Sequence, residues 1–232
     1  MHVVPQLLVS TILLGGIYAL IAVGFALIYN GTRIFHIAHG AVFTFGGYAL
    51  YLFAVPLGLP WIVALPAAVL ATAGFGALMD ALVYRPLRKR GTGPAGMFIA
   101  SIGALTFAQA VYALVFGTDT VNLRQGGLPT FDIGEVTVTA VHVIAAIVAL
   151  LVFPVLQLFL SRTRWGRAIR ALADNPRLAV VRGIDAERLY ILIFALGSAL
   201  AGLAVVILAF DLGLQKGDVL KILVATGVLF AE

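Results

Sequence analysis

Apolar residues along this chain gather in runs of about 20, the length at which a helix rising 1.5 Å per residue crosses roughly 30 Å of hydrocarbon. Six runs predict spans: Leu7–Tyr29, Ile34–Phe53, Trp61–Tyr84, Pro94–Phe116, Val138–Leu160 and Leu189–Phe210. A seventh begins near Ile222 and meets the end of the chain at Glu232; as a helix it reaches only about 17 Å, so it reads as truncated. No basic region precedes the first run and no small-residue cleavage site follows it, so it reads as a retained helix and not a signal peptide.

Two polar stretches separate the runs. From Gly117 to Thr137 the chain carries "GTDTVNLRQGGLPTFDIGEV", which reads as turns with a short hairpin, a loop able to meet a partner outside the membrane or simply to connect. The second, "TRWGRAIRALADNPRLAVVRGID" from Thr163 to Asp185, predicts a helix over Thr163–Asp174 with an exposed Gly166. Asn175 precedes Pro176, and a residue before proline leaves the helical region, so that helix stops. Asn175 is also a good N-cap and Pro176 suits a first helical position, which predicts a second, short helix over Pro176–Arg182, ended by Gly183 in the left-handed conformation. Leu178 and Val181 share one face of it, flanked by Arg177 and Arg182. So short a helix needs a surface to lie on, either a protein groove or anionic headgroups.

Composition agrees with the runs: 62% of residues are apolar and 11% charged, with a mean hydropathy of +1.10. The expected fold is an all-α polytopic integral membrane protein forming one domain over residues 1–232. Cysteine is absent, which excludes a disulfide framework and thiolate metal sites. The net charge of +5 is not spread as nucleic-acid binding would require. With the N-terminus outside, every Lys and Arg except Arg124, Lys216 and Lys221 falls on the cytoplasmic side, as the positive-inside rule asks.

Small residues suit close helix packing in lipid: Gly15, Gly16 and Ala19 in the first span, and Ala195, Gly197, Ser198, Ala201 and Gly202 in the sixth. Pro56, Pro60, Pro66 and Pro154 are expected to interrupt or kink helices. His39, Tyr48, Ser101 and Gln109 are the polar groups on apolar spans that suggest a substrate path, although each could equally bond between helices. His36 and His39 lack a third ligand for a metal, and Asp80 sits where Arg85 or Arg88 can pair with it. "GTGPAG" at Gly91–Gly96 follows no strand and fails as a dinucleotide loop, and no G-x-x-x-x-G-K-[ST] or H-E-x-x-H occurs. The chain therefore reads as a non-enzyme without cofactor or metal. An ion channel or ion-coupled transporter would need more intramembrane charge than His36, His39 and Asp80 supply.

Several stretches, in order along the chain, resemble the branched-chain amino acid permeases of ABC transporters, whose relatives also import urea and short amides. These are "GGIYALIAVGFALIYNGTRIFHIAHGAVFTFGGY" at Gly15–Tyr48, "DALVYRPLR" at Asp80–Arg88 with its acidic-x-x-x-Tyr-Arg-Pro turn, "IASIGALTFAQ" at Ile99–Gln109, "TRWGRAIRA" at Thr163–Ala171 and "DNPRLAVVRGID" at Asp174–Asp185. The resemblance implies a permease subunit of the bacterial inner membrane for hydrophobic amino acids or a similar small amphiphile. Its implied partners are a second permease subunit, an extracytoplasmic solute-binding protein and ATP-hydrolysing subunits. It also makes Asn175–Gly183 the coupling helix, with Asn175, Pro176, Arg177, Leu178, Val181, Arg182 and Gly183 set into a groove of the ATPase. His36 departs from the family's usual Asn before Ala-His-Gly, Ala110 replaces a common polar residue after Gln109, and the family continues past the position of Glu232.

Overall fold

The computed structural model describes residues 3–116, 130–133 and 136–211. Helix α1 spans Val3–Thr32, α2 His39–Ala54 and α3 Trp61–Met79; α3 continues through a π-helical turn, Asp80–Tyr84, into α4, Arg85–Lys89. Then come α5 (Pro94–Phe116), a hairpin of strands β1 (Thr130–Ile133) and β2 (Val136–Thr139), α6 (Ala140–Arg162), α7 (Arg164–Asp174), α8 (Pro176–Val181) and α9 (Ala186–Asp211). The hairpin is antiparallel, with Thr130 opposite Thr139 and Ile133 opposite Val136. It occupies the described part of the polar loop expected over Gly117–Thr137. The expected run from Ile222 lies outside the described residues.

Among the described residues, four helical stretches are long and apolar enough to cross a membrane: Gly15–Thr32, Trp61–Lys89, Pro94–Phe116 and Ala186–Ala209. Helices α6 and α7 meet the same test only together, as a pair bent by 80° between Arg162 and Arg164. The second predicted span differs in extent. Its helix begins at His39, not Ile34, and its 16 residues reach about 24 Å. The third span runs past Tyr84 to Lys89, so the acidic-x-x-x-Tyr-Arg-Pro stretch is helical and not a turn. Pro86, which has no N–H to give the preceding turn, falls where the π-helical turn passes into α4. Pro66 and Pro154 lie inside continuous helices, and only Pro56 and Pro60 fall in a break.

Helix α9 is the hub, packing along α3, α1 and α2, while α6 lies against α1. Lipid is as apolar as leucine, so close backbone approach and dispersion hold such helices together. Gly24 and Gly197 supply that approach between α1 and α9: a Cβ on either would stand 2.6 or 2.7 Å from the other's carbonyl oxygen. Gly46 and Gly202 do the same around Thr72, where α2, α3 and α9 meet.

Gly166 corrects an expectation. It is buried, and a Cβ there would collide with the Leu160 and Phe159 backbone. The bend between α6 and α7 brings the two backbones together at that point, which a side chain would prevent. Helix α7 then turns Ile169 and Leu172 into the core with Ile28, Ile193 and Phe194.

Candidate functional site

Two places concentrate polar chemistry: the break between α1 and α2, and the arginine-rich end of the bundle. At the first, Arg33 ends α1 in the left-handed conformation, φ 57°, a strained choice for a residue with a Cβ. Its amide still donates to the Tyr29 carbonyl at 2.8 Å. The chain then runs without helix to Ala38. Non-helical backbone at membrane depth must find partners within the protein, and here it does. The Ile34 amide donates to Thr32 Oγ1 at 3.2 Å, and the Ala38 amide to Ser101 Oγ on α5 at 3.0 Å.

This break buries His36 completely. Its Nδ1 lies 2.7 Å from the Tyr84 hydroxyl, which also faces the Ser101 side chain. The His36 ring stands edge-on to Tyr84, Phe194 and His39, at centroid distances of 5.4, 5.1 and 5.8 Å. His39 packs behind Gly24 and edge-on to Phe25. Its ring lies near the Ile21 backbone, but neither nitrogen completes a hydrogen bond of normal geometry, nor does His36 Nε2. Among the described residues no three His, Cys, Asp or Glu side chains gather as metal ligands.

Of the four predicted path residues, His39 and Ser101 meet at this break. The other two do not join them. Tyr48 lies nine residues further along α2, about 13 Å at the helical rise, stacked on Phe116 at 4.1 Å and tilted against Tyr112 at 5.4 Å. Tyr112 donates from its hydroxyl to the Ala41 carbonyl at 3.0 Å. Gln109 is half-buried beside Ala108, a member of the same cluster. An apolar cleft of about 220 Å³ between α3 and α5, and one of about 340 Å³ between α1, α6 and α7, are lined by none of the four.

At the arginine-rich end, contacts join segments far apart in sequence. Arg33 donates to the Ala173 carbonyl of α7 at 3.3 Å. Arg88 holds the buried Asp80 carboxylate and also reaches Glu187 of α9 at 3.2 Å, which Arg85 contacts at 3.2 Å as well. The Arg88 guanidinium lies 4.4 Å above the Tyr190 ring. Asp80 thus takes Arg88 as its partner. Sequence reading missed Glu187, Tyr190, Tyr84 and Phe194; only the i, i+4 and i, i+8 spacing of Asp80, Tyr84 and Arg88 hinted that they share a helix face.

Helices α7 and α8 are capped as composition suggested. Thr163 Oγ1 accepts the Gly166 amide at 3.0 Å, so Thr163 is the cap and not the first helical residue. Asn175 Oδ1 accepts the Leu178 amide at 3.1 Å, and Gly183 has φ +83°. Helix α8 closes one residue earlier than expected, with Arg182 as its C-cap. Ala179 faces the core, 4% exposed, whereas Leu178 and Val181 are 62% and 81% exposed. Pro176, Arg177 and Arg182 are exposed beside them.

The sequence profile of the family described as branched-chain amino acid transport system, permease component, matches residues 7–228. Among curated proteins, the chain is similar to the high-affinity branched-chain amino acid transport system permease protein BraD of Pseudomonas aeruginosa. The two are 30% identical over 226 residues, 90% of this chain and 71% of BraD. It is 28% identical over 216 residues to LivH of Escherichia coli, covering 88% of this chain and 70% of that protein. A LivH-type permease of Methanocaldococcus jannaschii is 26% identical over 212 residues. No solved structure matches. Matched along nearly its whole length and built from helices several of which are long and apolar enough to cross a bilayer, the chain belongs to the branched-chain amino acid transport system permease family, a family of multi-pass membrane transport proteins and not of enzymes.

Proposed function

We propose that the chain is the permease subunit of an ABC importer for branched-chain or other hydrophobic amino acids, seated in the inner membrane as one domain with its N-terminus outside. Its substrate class follows that of BraD and LivH, permeases of branched-chain amino acid transport systems; urea or a short amide is the alternative within the family. A second permease subunit completes the path, an extracytoplasmic binding protein delivers the solute, and separate ATP-hydrolysing subunits drive the cycle. The clustering of Arg33, Arg85, Arg88 and the α7–α8 arginines at one end supports a cytoplasmic position for that end.

One observation carries the reading: α8 is a doubly capped helix that turns Leu178 and Val181 outward instead of into its own core. A helix this short draws stability from what it packs against, and an apolar face flanked by Arg177 and Arg182 suits a groove with acidic edges. Movement of α8 reaches the spans through Ala179 and Leu189 in the core, and through Glu187, which ties the start of α9 to Arg88 and Asp80. Around α9 as hub, the spans re-angle in alternating access. His39 and Ser101 lie on the substrate path at the break, where helix ends and non-helical backbone face a polar cluster, with Tyr48 and Gln109 further along.

Replacing Leu178 and Val181 together with Asp abolishes co-purification with the ATPase while membrane insertion persists. Undiminished co-purification defeats the proposal. Uptake that survives removal of the ATPase would favour a channel or an ion-coupled transporter.

A further inference from the structure

The cleft between α1, α6 and α7 serves none of the roles above. It encloses about 340 Å³. Its floor is apolar, formed by Ala26 and Leu27 of α1 and Phe153 and Leu156 of α6, and its rim carries Asn30, Gln157 and Arg170. Because α1 and α6 belong to apolar runs of membrane-spanning length, the groove between them is placed at bilayer depth, and its floor suits an acyl chain. Helix α7, bent 80° from α6, roofs the groove. It buries Gly166, Ile169 and Leu172 and leaves Arg164, Arg167 and Arg170 exposed.

The rim is cationic. Arg170 donates from Nη2 to the Ser161 carbonyl at 3.4 Å, which occupies one of the five donors of a guanidinium. Arg33 reaches the Ala173 carbonyl at 3.3 Å, and Ala173 lines the same cleft. Asp174 is the lone carboxylate of α7.

We propose that this cleft binds an anionic phospholipid, with one acyl chain in the groove and the phosphate on Arg170. Charge complementarity selects the occupant. A zwitterionic headgroup would bring its own ammonium toward the Arg170 guanidinium, and a soluble phosphate would leave the apolar floor uncovered.

The chain has two tryptophans, so Trp61→Phe leaves Trp165, one turn before Ile169 and Arg170 on α7, as the sole indole. The full chain is reconstituted in bilayers that mix unlabelled lipid with brominated phosphatidylglycerol or brominated phosphatidylcholine, and quenching of Trp165 gives relative affinities. Phosphatidylglycerol should be preferred by roughly fivefold, the effect of one basic residue near a membrane surface. Arg170→Gln, an exposed substitution that leaves the core intact, brings the ratio close to one, and Arg170→Lys retains much of it. Ala26→Phe fills the floor with Arg170 in place and also removes the preference. Equal quenching by the two lipids overturns the site. A preference that survives Ala26→Phe is diffuse surface attraction, and it overturns the site as well. Displacement by millimolar glycerol phosphate would assign the rim to a soluble phosphate. A preference seen in the isolated chain but lost in the complex with the ATPase would assign the cleft to that partner, and either result refutes the lipid.

Discussion

Arg88 grips Asp80 through both terminal nitrogens, with Nη1 2.6 Å from Oδ1 and Nη2 3.0 Å from Oδ2, and the carboxylate it holds is wholly inaccessible. A buried charge stripped of its partner is far less stable than the pair. Asp80→Ala and Arg88→Ala should therefore each cost about 3–5 kcal/mol, and the double variant much less than their sum. Glu187 is one-third exposed on its side chain, so Glu187→Ala should cost only about 1 kcal/mol or less. Thermal midpoints in detergent, arranged as a double-mutant cycle, check both statements. Additive losses would mean that Asp80 and Arg88 stabilise the fold separately.

Gly74 and Gly76, two residues apart and so on nearly opposite faces of the α3 helix, should respond in opposite ways to alanine. A Cβ on Gly76 would collide with the Ser198 side chain and approach the Phe194 carbonyl oxygen to 2.9 Å, whereas Gly74 has nothing within 4 Å. Gly76→Ala must push α3 away from the hub helix and should lower the thermal midpoint. Gly74→Ala should leave it unchanged or raise it, since alanine is favoured in a helix by about 1 kcal/mol. A stable Gly76→Ala protein would show that α3 and α9 do not pack this closely.

Asn175→Ala removes the acceptor of the Leu178 amide. Loss of an N-cap costs about 1 kcal/mol, so hydrogen exchange at that amide should accelerate roughly fivefold. Asn175→Asp should restore protection. If exchange is unchanged, α8 is held by its packing alone and the cap is dispensable.

Ser101→Ala leaves the buried Ala38 amide without its acceptor, at a cost of about 1–3 kcal/mol. Tyr84→Phe keeps the ring stacked on Phe194 at 5.1 Å but removes the hydroxyl facing His36 Nδ1. Both should lower transport per folded molecule, and Ser101→Ala should lower the thermal midpoint too. Unchanged transport by both variants, at normal expression, would make the polar cluster purely a packing device.

Much of the architecture was legible because its physical causes are local. Run length located α1, α3, α5, α6 and α9 to within a few residues, since a bilayer demands about 20 apolar positions whatever surrounds them. The stop at Asn175-Pro176 and the left-handed Gly183 follow from backbone sterics that each residue carries with it. The exposed pair Leu178 and Val181 was already visible as one face of a short helix.

Other features exist only once distant segments meet. Hydropathy scores Ile34, Phe35, Ile37 and Ala38 as membrane helix, yet the chain there is not helical, because Ser101 of α5 and Thr32 of α1 take over two of its amides. Gly166 looked solvent-facing on its own helix and is buried only because α6 folds back against it. Neither of the two arginines near Asp80 is marked in the sequence as its partner, and Glu187 joins them from 99 residues away. The four polar residues proposed for one path divide between the α1–α2 break and the Tyr48–Tyr112 stack. Type and spacing state what a side chain can bond; the crossing of helices at the Gly24–Gly197 contact and its neighbours decides which groups come within reach.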